Sequence, residues 1–486
     1  MGKFKVPPIS PTFHVLVNGT DVEISVTNMP ATFSWEAAQS DNTSVYTISN
    51  GKVVWSDGTI LQYNGIDVLP TDVVVEGGTY TTRANVAKVS IDLTTLSGWG
   101  NVADGQHSIQ VVAKADGYKD SEKSTAVSFT KSSIKKWVFG VSGINSSSPQ
   151  LTRTDDAVGK TWSKDSNGLI TTGFEEEFNF QRVVDSKGNV FIRIPKMYRY
   201  FEGGDVLKIA NYKVNDKYVL YPMFIKNDGT ECDYVDVGAY KGHVTNDTSV
   251  AQLLESKSGI IPTYSKTRAQ FREYAANNTD SAYVYYQRDI RNMTWVQDMI
   301  QIVFATRQTT DFQGTTWKSY GTATGDTDSI VNNSLTNPLS VCGLNSDTYG
   351  FKLFGIEDLC GNGFEFIDGI TFNGTSCYYT YNTTKFSDSY NSDGMTYVSY
   401  GRNNSNSYIS KLGYNASHPC INIPTGTSGS SSTYYCDYNY YSSSGVVLYT
   451  GANGFTDYSG FWTFRGNYKA TYADARFGSR LCRQPL

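Results

Sequence analysis

The sequence predicts an α+β protein: an all-β sandwich at the N-terminus, then a larger α+β domain with two main helices. Three observations carry this. Short runs of alternating apolar residues, separated by turn dipeptides, fill residues 1–131. Two later stretches repeat apolar residues at helical spacing: Phe271, Tyr274 and Ala275 within 266–277, and Met293, Val296, Ile300, Val303 and Phe304 within 293–306. The chain then ends in a stretch, 434–483, dominated by Tyr, Ser, Gly and Asn. It has no Glu, Gln or Met, and Lys469 is its only lysine.

In the first region, Val15 to Val17, then Val22, Ile24 and Val26, then Phe33 and Trp35 alternate with polar positions. Val89, Ile91 and Leu93 repeat the pattern, as do Ile109, Val111 and Ala113, and Val127 with Phe129 closes it. Asp57-Gly58, Asp104-Gly105 and Asp116-Gly117 are hairpin signals. The polar run 131–136 marks a linker, and 132–200 reads as a β-rich connecting region that opens with Trp137, Val138 and Phe139. Glu175, Glu176 and Glu177 are adjacent and so cannot converge on one point; they read as a solvated face. Residues 201–486 read as the larger, C-terminal domain, expected to carry any ligand-binding face. Within it, 218–225 reads as a strand, Ser265 or Thr267 as the first helix cap, and 308–348 as loop.

Composition narrows the function. Charged residues are 18% of the chain and aromatics 14%, against roughly 25% charged in ordinary soluble domains. A net charge of -5 argues against a nucleic-acid partner. No apolar run reaches the roughly 18 residues that a membrane span needs, so no membrane insertion is expected. The start, MGKFKVPPIS, lacks an apolar core, so no secretory signal is expected and synthesis is placed in a bacterial cytoplasm. Seven cysteines without a CxxC read as reduced and buried.

Two segments resemble known families. Asp104 to Phe129 is similar to the last strands of immunoglobulin-like or fibronectin-like modules of bacterial surface and phage tail proteins. That implies an immunoglobulin-like spacer or anchor over 1–131, with His107 a strand residue. Leu353 to Ile370, LFGIEDLCGNGFEFIDGI, resembles the GxxDxxGNVWEW segment of C-type-lectin-like folds of the formylglycine-generating type. The match runs through Gly355, Asp358, Gly361, Asn362, Glu365 and Phe366, and departs at Gly363, Phe364 and Phe366 itself. Arg465-Gly466 and Gly478 to Arg480 look like the closing strands of that family. The implication is a C-type-lectin-like domain in which these residues are scaffold. The tail, Val447 to Leu481, is similar to the variable segment of phage and bacterial receptor-binding proteins served by diversity-generating retroelements.

Those resemblances imply either an oxidase or a binder. Formylglycine-generating enzymes hold copper with a C-terminal cysteine pair that has four residues between them. Here Cys482 has Phe477 at that position, and no other pair has the spacing. No HExxH, GxSxG or P-loop occurs. The reading is a binder with no catalytic residues, no metal and no cofactor; a formylglycine-generating or glycan-active enzyme is the alternative. Tyr and Trp give large contacts with few torsions to freeze, as in antibody loops. The expected face, within about 434–476, comprises Tyr438, Tyr440, Tyr441, Asn453, Phe455, Asp457, Tyr458, Trp462, Asn467, Tyr468, Tyr472 and Asp474. Trp462 fits surface or core equally. The resemblance further implies a virion tail location, a host cell-surface protein or glycan as ligand, other tail proteins bound through the N-terminal region, and a homotrimer.

Overall fold

A computed structural model describes residues 135–486 apart from 246–249, 331–338, 415–416, 419 and 452–458. Before 135 it describes only strands and a few adjoining residues. The chain divides into two compact units, Met1–Ile134 and Lys135–Leu486.

In the first unit, Val127–Lys131, Gly105–Lys114, Thr12–Val17 and Thr20–Asp21 form one antiparallel sheet in that order. His107 is a strand residue here, opposite Phe129. Three separate hairpins complete the described strands. The expected strands around Val22 to Val26, Phe33 to Trp35 and Val89 to Leu93 lie outside the described residues.

The second unit is a set of mostly antiparallel sheets packed around one helix. One sheet runs Gln181–Val184, Val190–Pro195, Tyr234–Gly238, Leu481–Pro485, Tyr283–Gln287. The strand nearest the C-terminus is therefore interior, between two strands more than 190 positions upstream. Another five-stranded sheet joins Thr152–Asp155, Val138–Ser142, Val206–Ala210, Tyr198–Glu202 and Val219–Leu220. The largest sheet carries Ser376–Tyr379, Phe364–Asn373, Val447–Thr450, Phe464–Tyr468, Tyr438–Tyr441 and Ser407–Tyr408 as neighbours.

Helix α1, Arg268–Ala276, begins at Thr267, whose capping box with Gln270 satisfies two end donors. Helix α2, Ile290–Phe304, begins at Asp289, whose carboxylate accepts from the Arg291 and Asn292 amides at 2.8 and 3.3 Å. It ends at Ala305, in a left-handed conformation. All fifteen residues of α2 are buried, so it is a core helix rather than an amphipathic surface one.

The expected fold class is corrected by this architecture. Strand exceeds helix 33% to 10%, so the protein is mostly β rather than α+β. The two helices exist, but a two-helix C-type-lectin-like layout is not evident: many mostly antiparallel sheets, none closed into a barrel among the described residues, surround α2. Nor do the described strands of 1–134 make the two packed sheets of an immunoglobulin-like sandwich. The physical reason is that β-branched and aromatic residues, abundant throughout, favour pleated half-buried surfaces. Two recognisable helices cannot set a fold class when most remaining segments pair as strands.

Candidate functional site

The motif 353–370 forms the frame under the site. Asp358 and Asn362 adopt left-handed φ of 58° and 50°, which short polar side chains tolerate. Gly363, at φ 81°, admits no side chain: a Cβ would lie 2.7 Å from the Arg476 carbonyl and 2.8 Å from the Tyr264 ring. That accounts for one departure from the lectin-type motif. Glu365 is buried and accepts from Arg480 Nε at 2.9 Å and Arg288 Nη1 at 2.6 Å. Burial alone would raise its carboxyl; Arg480, Arg288 and Lys241 hold it down to about 2. Lys241 donates to the Gly361 and Gly363 carbonyls at 2.8 and 2.6 Å. Glu365, Arg480 and Lys241 thus tie the motif to neighbouring strands through buried bonds.

Above this frame, the largest sheet places aromatic rings and one guanidinium in a continuous ribbon. Strand Tyr438–Tyr441 pairs in parallel with Phe464–Tyr468, which sets Tyr440 beside Arg465 and Asn439 beside Phe464. Pleating then sends Tyr438, Tyr440 and Arg465 to one face and buries Asn439 and Phe464 on the other. Tyr408, opposite Tyr438, meets it edge-on at 5.2 Å. Tyr438 and Tyr440 rings are 4.8 Å apart. The Arg465 guanidinium lies 3.7 Å from the Tyr440 centroid and 4.7 Å from that of Phe364. From Phe364 the contacts continue to Tyr449 at 5.3 Å, Tyr468 at 5.5 Å and Tyr472, stacked on Tyr468 at 3.7 Å. Phe364 and Tyr449 are buried, so the ribbon is two half-buried patches joined through a buried middle.

The far patch is pinned by charge. Tyr472 donates to Asp474 at 3.2 Å, and Arg476 grips that carboxylate with two bonds of 2.7 and 2.9 Å. The Arg476 hydrogen bond holds Asp474 below the ordinary carboxylate range. Asn467 accepts from the Tyr449 hydroxyl at 3.0 Å.

The structure thus brings together Tyr438, Tyr440, Asn467, Tyr468, Tyr472 and Asp474. Tyr441 turns away, its ring 4.8 Å from the buried Arg402 guanidinium. Trp462, 1% exposed, is a core residue packed against Tyr435. Asn453, Phe455, Asp457 and Tyr458 lie outside the described residues. Sequence reasoning missed Tyr408 and treated Arg465 as scaffold only. The Asn- and Ser-rich surroundings of Tyr408 share the composition of the tail and were a usable signal.

Asp326, Glu357 and Asp358 are the one carboxylate cluster with metal-ligand spacing among the described residues. Their centre holds the Lys318 ammonium, bonded to Asp326 and 3.3 and 3.7 Å from Asp358 and Glu357. Burial alone would lower the lysine, but Asp358, Glu357 and Asp326 keep it charged. Burial, with Asp358 and Asp326, pushes Glu357 up to about 8. A tethered cation fills the place where a metal would sit. All seven cysteines are buried and free of disulfides.

No family model matches the chain, and no curated protein sequence does. A solved structure called Major Tropism Determinant P3c Variant is similar over 94% of this chain and 96% of its own, at 10% identity and a TM-score of 0.25. A likeness at that score carries no argument on fold or function.

Proposed function

We propose that this chain is a receptor-binding protein whose aromatic ribbon docks on a ligand at a cell surface. The observation that carries the reading is the line of contacts from Tyr408 through Tyr440 and Arg465 to Tyr472. Tyr and Arg are the residues in which interface energy concentrates. Rings held on paired strands have little freedom left to lose on binding.

The resemblance of the tail extends the proposal to a tail protein of a virion, trimeric, held by its N-terminal unit and facing a host-surface protein or glycan. It also extends it to rewriting of 434–476 at template adenines. AAC-type codons rewritten at their first two bases yield Tyr, Ser, Asn, Asp, Gly, Thr, Phe, Val and Ala but never Trp or Lys. The buried position of Trp462 suits a fixed residue. At the gene, a nearby near-copy differing only where the copy has adenine supports rewriting; differences spread over all four bases exclude it.

The function itself is tested by attachment to cells. Tyr440→Ala and Tyr468→Ala should each weaken attachment at least tenfold, about 1.4 kcal/mol or more, with a melting temperature within a few degrees of the parent. Normal attachment by both variants would overturn the reading.

A further inference from the structure

A second concavity shares no residue with the ribbon. It is an open groove of 470 Å³ between Ile144-Asn145, the turn at Gly203-Gly204, the stretch 410–414 and Tyr434-Tyr435. One wall is aromatic: Phe201 and Tyr414 meet edge to face at 4.8 Å, and Tyr414 is 41% exposed. The turn is backbone. Gly203 and Gly204 have φ of 61° and 73°, and a methyl group on Gly203 would meet nothing within 4 Å. Asn145 braces this turn by donating to the Gly203 carbonyl at 3.3 Å. Lys411 is the only charged residue lining the groove among the described residues. It is exposed and has no ion-pair partner among them, and the carboxylate of Asp205, next to the turn, is held by the Asn145 backbone amide at 2.9 Å.

We infer that this groove binds a saccharide residue bearing a carboxylate, of the uronic or sialic acid kind. A pyranose ring presents a flat C–H face and a polar rim. Angled aromatic rings match the first, and a side-chain amide with open backbone matches the second. An ammonium with no ion-pair partner among the described residues, in a groove whose described lining residues include no acid, selects an anionic sugar over a neutral one. The volume holds one or two sugar rings, within the roughly 300–1,000 Å³ of ordinary ligand sites.

The test uses the full chain in solution and needs no cells, so it stands apart from attachment through the ribbon. The probes are a glucuronate-containing tetrasaccharide, a sialic-acid-terminated trisaccharide and the carboxyl-reduced form of each. Calorimetry should show at least one acidic probe binding several-fold tighter than its reduced form. Lys411→Met should erase that preference, and Tyr414→Ala should weaken binding about tenfold. Tyr440→Ala should leave it unchanged. Both groove side chains are exposed, so melting temperatures should hold and a lost signal would not reflect unfolding. Equal affinity for acidic and reduced probes, no binding of either acidic probe, or binding indifferent to both groove variants would overturn the inference.

Discussion

Single side chains hold the second unit together in a way that hydropathy does not announce. Arg268, Arg291, Arg307 and Arg480 are all fully buried, where an unpaired charge would cost several kcal/mol. Each has its partners: Arg291 pairs with Asp289, and Arg307 donates to the carbonyls of Ile144, Ser146 and Ser148. Among the described residues Asp437 is the exception, a buried acid with no cation against it. Burial pushes its carboxyl up from 3.8 to about 8, against the pull of the Trp462 and Thr463 amides. The folded protein then keeps a proton that the unfolded chain releases, so this group's contribution to stability falls as pH rises from about 4 to about 8. Asp437→Asn, which mimics the neutral acid, should flatten that part of the profile. Urea unfolding near pH 5 and near pH 8 reads it, with an effect of at most a few kcal/mol. Parent and variant losing stability equally over that interval would exclude Asp437 as the source. Glu357 titrates in the same direction, and the difference between the two proteins removes it.

Among elements, α2 shows how far periodicity reaches. Its apolar line was legible, but the polar positions between are buried too. Asp298 pairs with Arg199 and accepts from Tyr221, and Gln297 donates to the Phe461 carbonyl at 2.9 Å. Those partners lie 77 to 164 residues away, and no local pattern encodes them. The ribbon repeats the lesson. Its composition was plain from Tyr434 onward, but the pairing of Tyr440 with Arg465 depends on a parallel register set by tertiary structure, and Tyr408 enters from outside the tail. That register is locked at Gly466, where a Cβ would stand 3.0 Å from the Phe372 ring and closer still to the Arg402 guanidinium. Gly466→Ala should therefore cost more than about 1 kcal/mol by overpacking and disturb ligand binding as well. Unfolding midpoints unchanged by that substitution would show that the strand has room to shift.

For the whole molecule, the chain divides at 134–135, inside the polar run 131–136 that separates two apolar patterns in the sequence. The fold class was not legible: a motif that fixes a few turns around Glu365 does not dictate how the surrounding strands assemble. Since the second unit has its own core, a fragment of residues 135–486 should unfold in one cooperative transition near that of the intact chain. A broad, non-cooperative melt would show that the first unit supports it.

The strand Leu481–Pro485 sits in the middle of its sheet, hydrogen-bonded on both sides. Anything that stops translation or shifts the reading frame before Leu481 leaves a gap between the strands at 234–238 and 283–287 that no other segment fills. The ribosome therefore finishes the ribbon before the sheet that must close after it can form. A chain cut before Leu481 should fail to close this sheet, and its soluble yield should fall. Closure of this sheet therefore depends on every residue ahead of Leu481 having been read in frame.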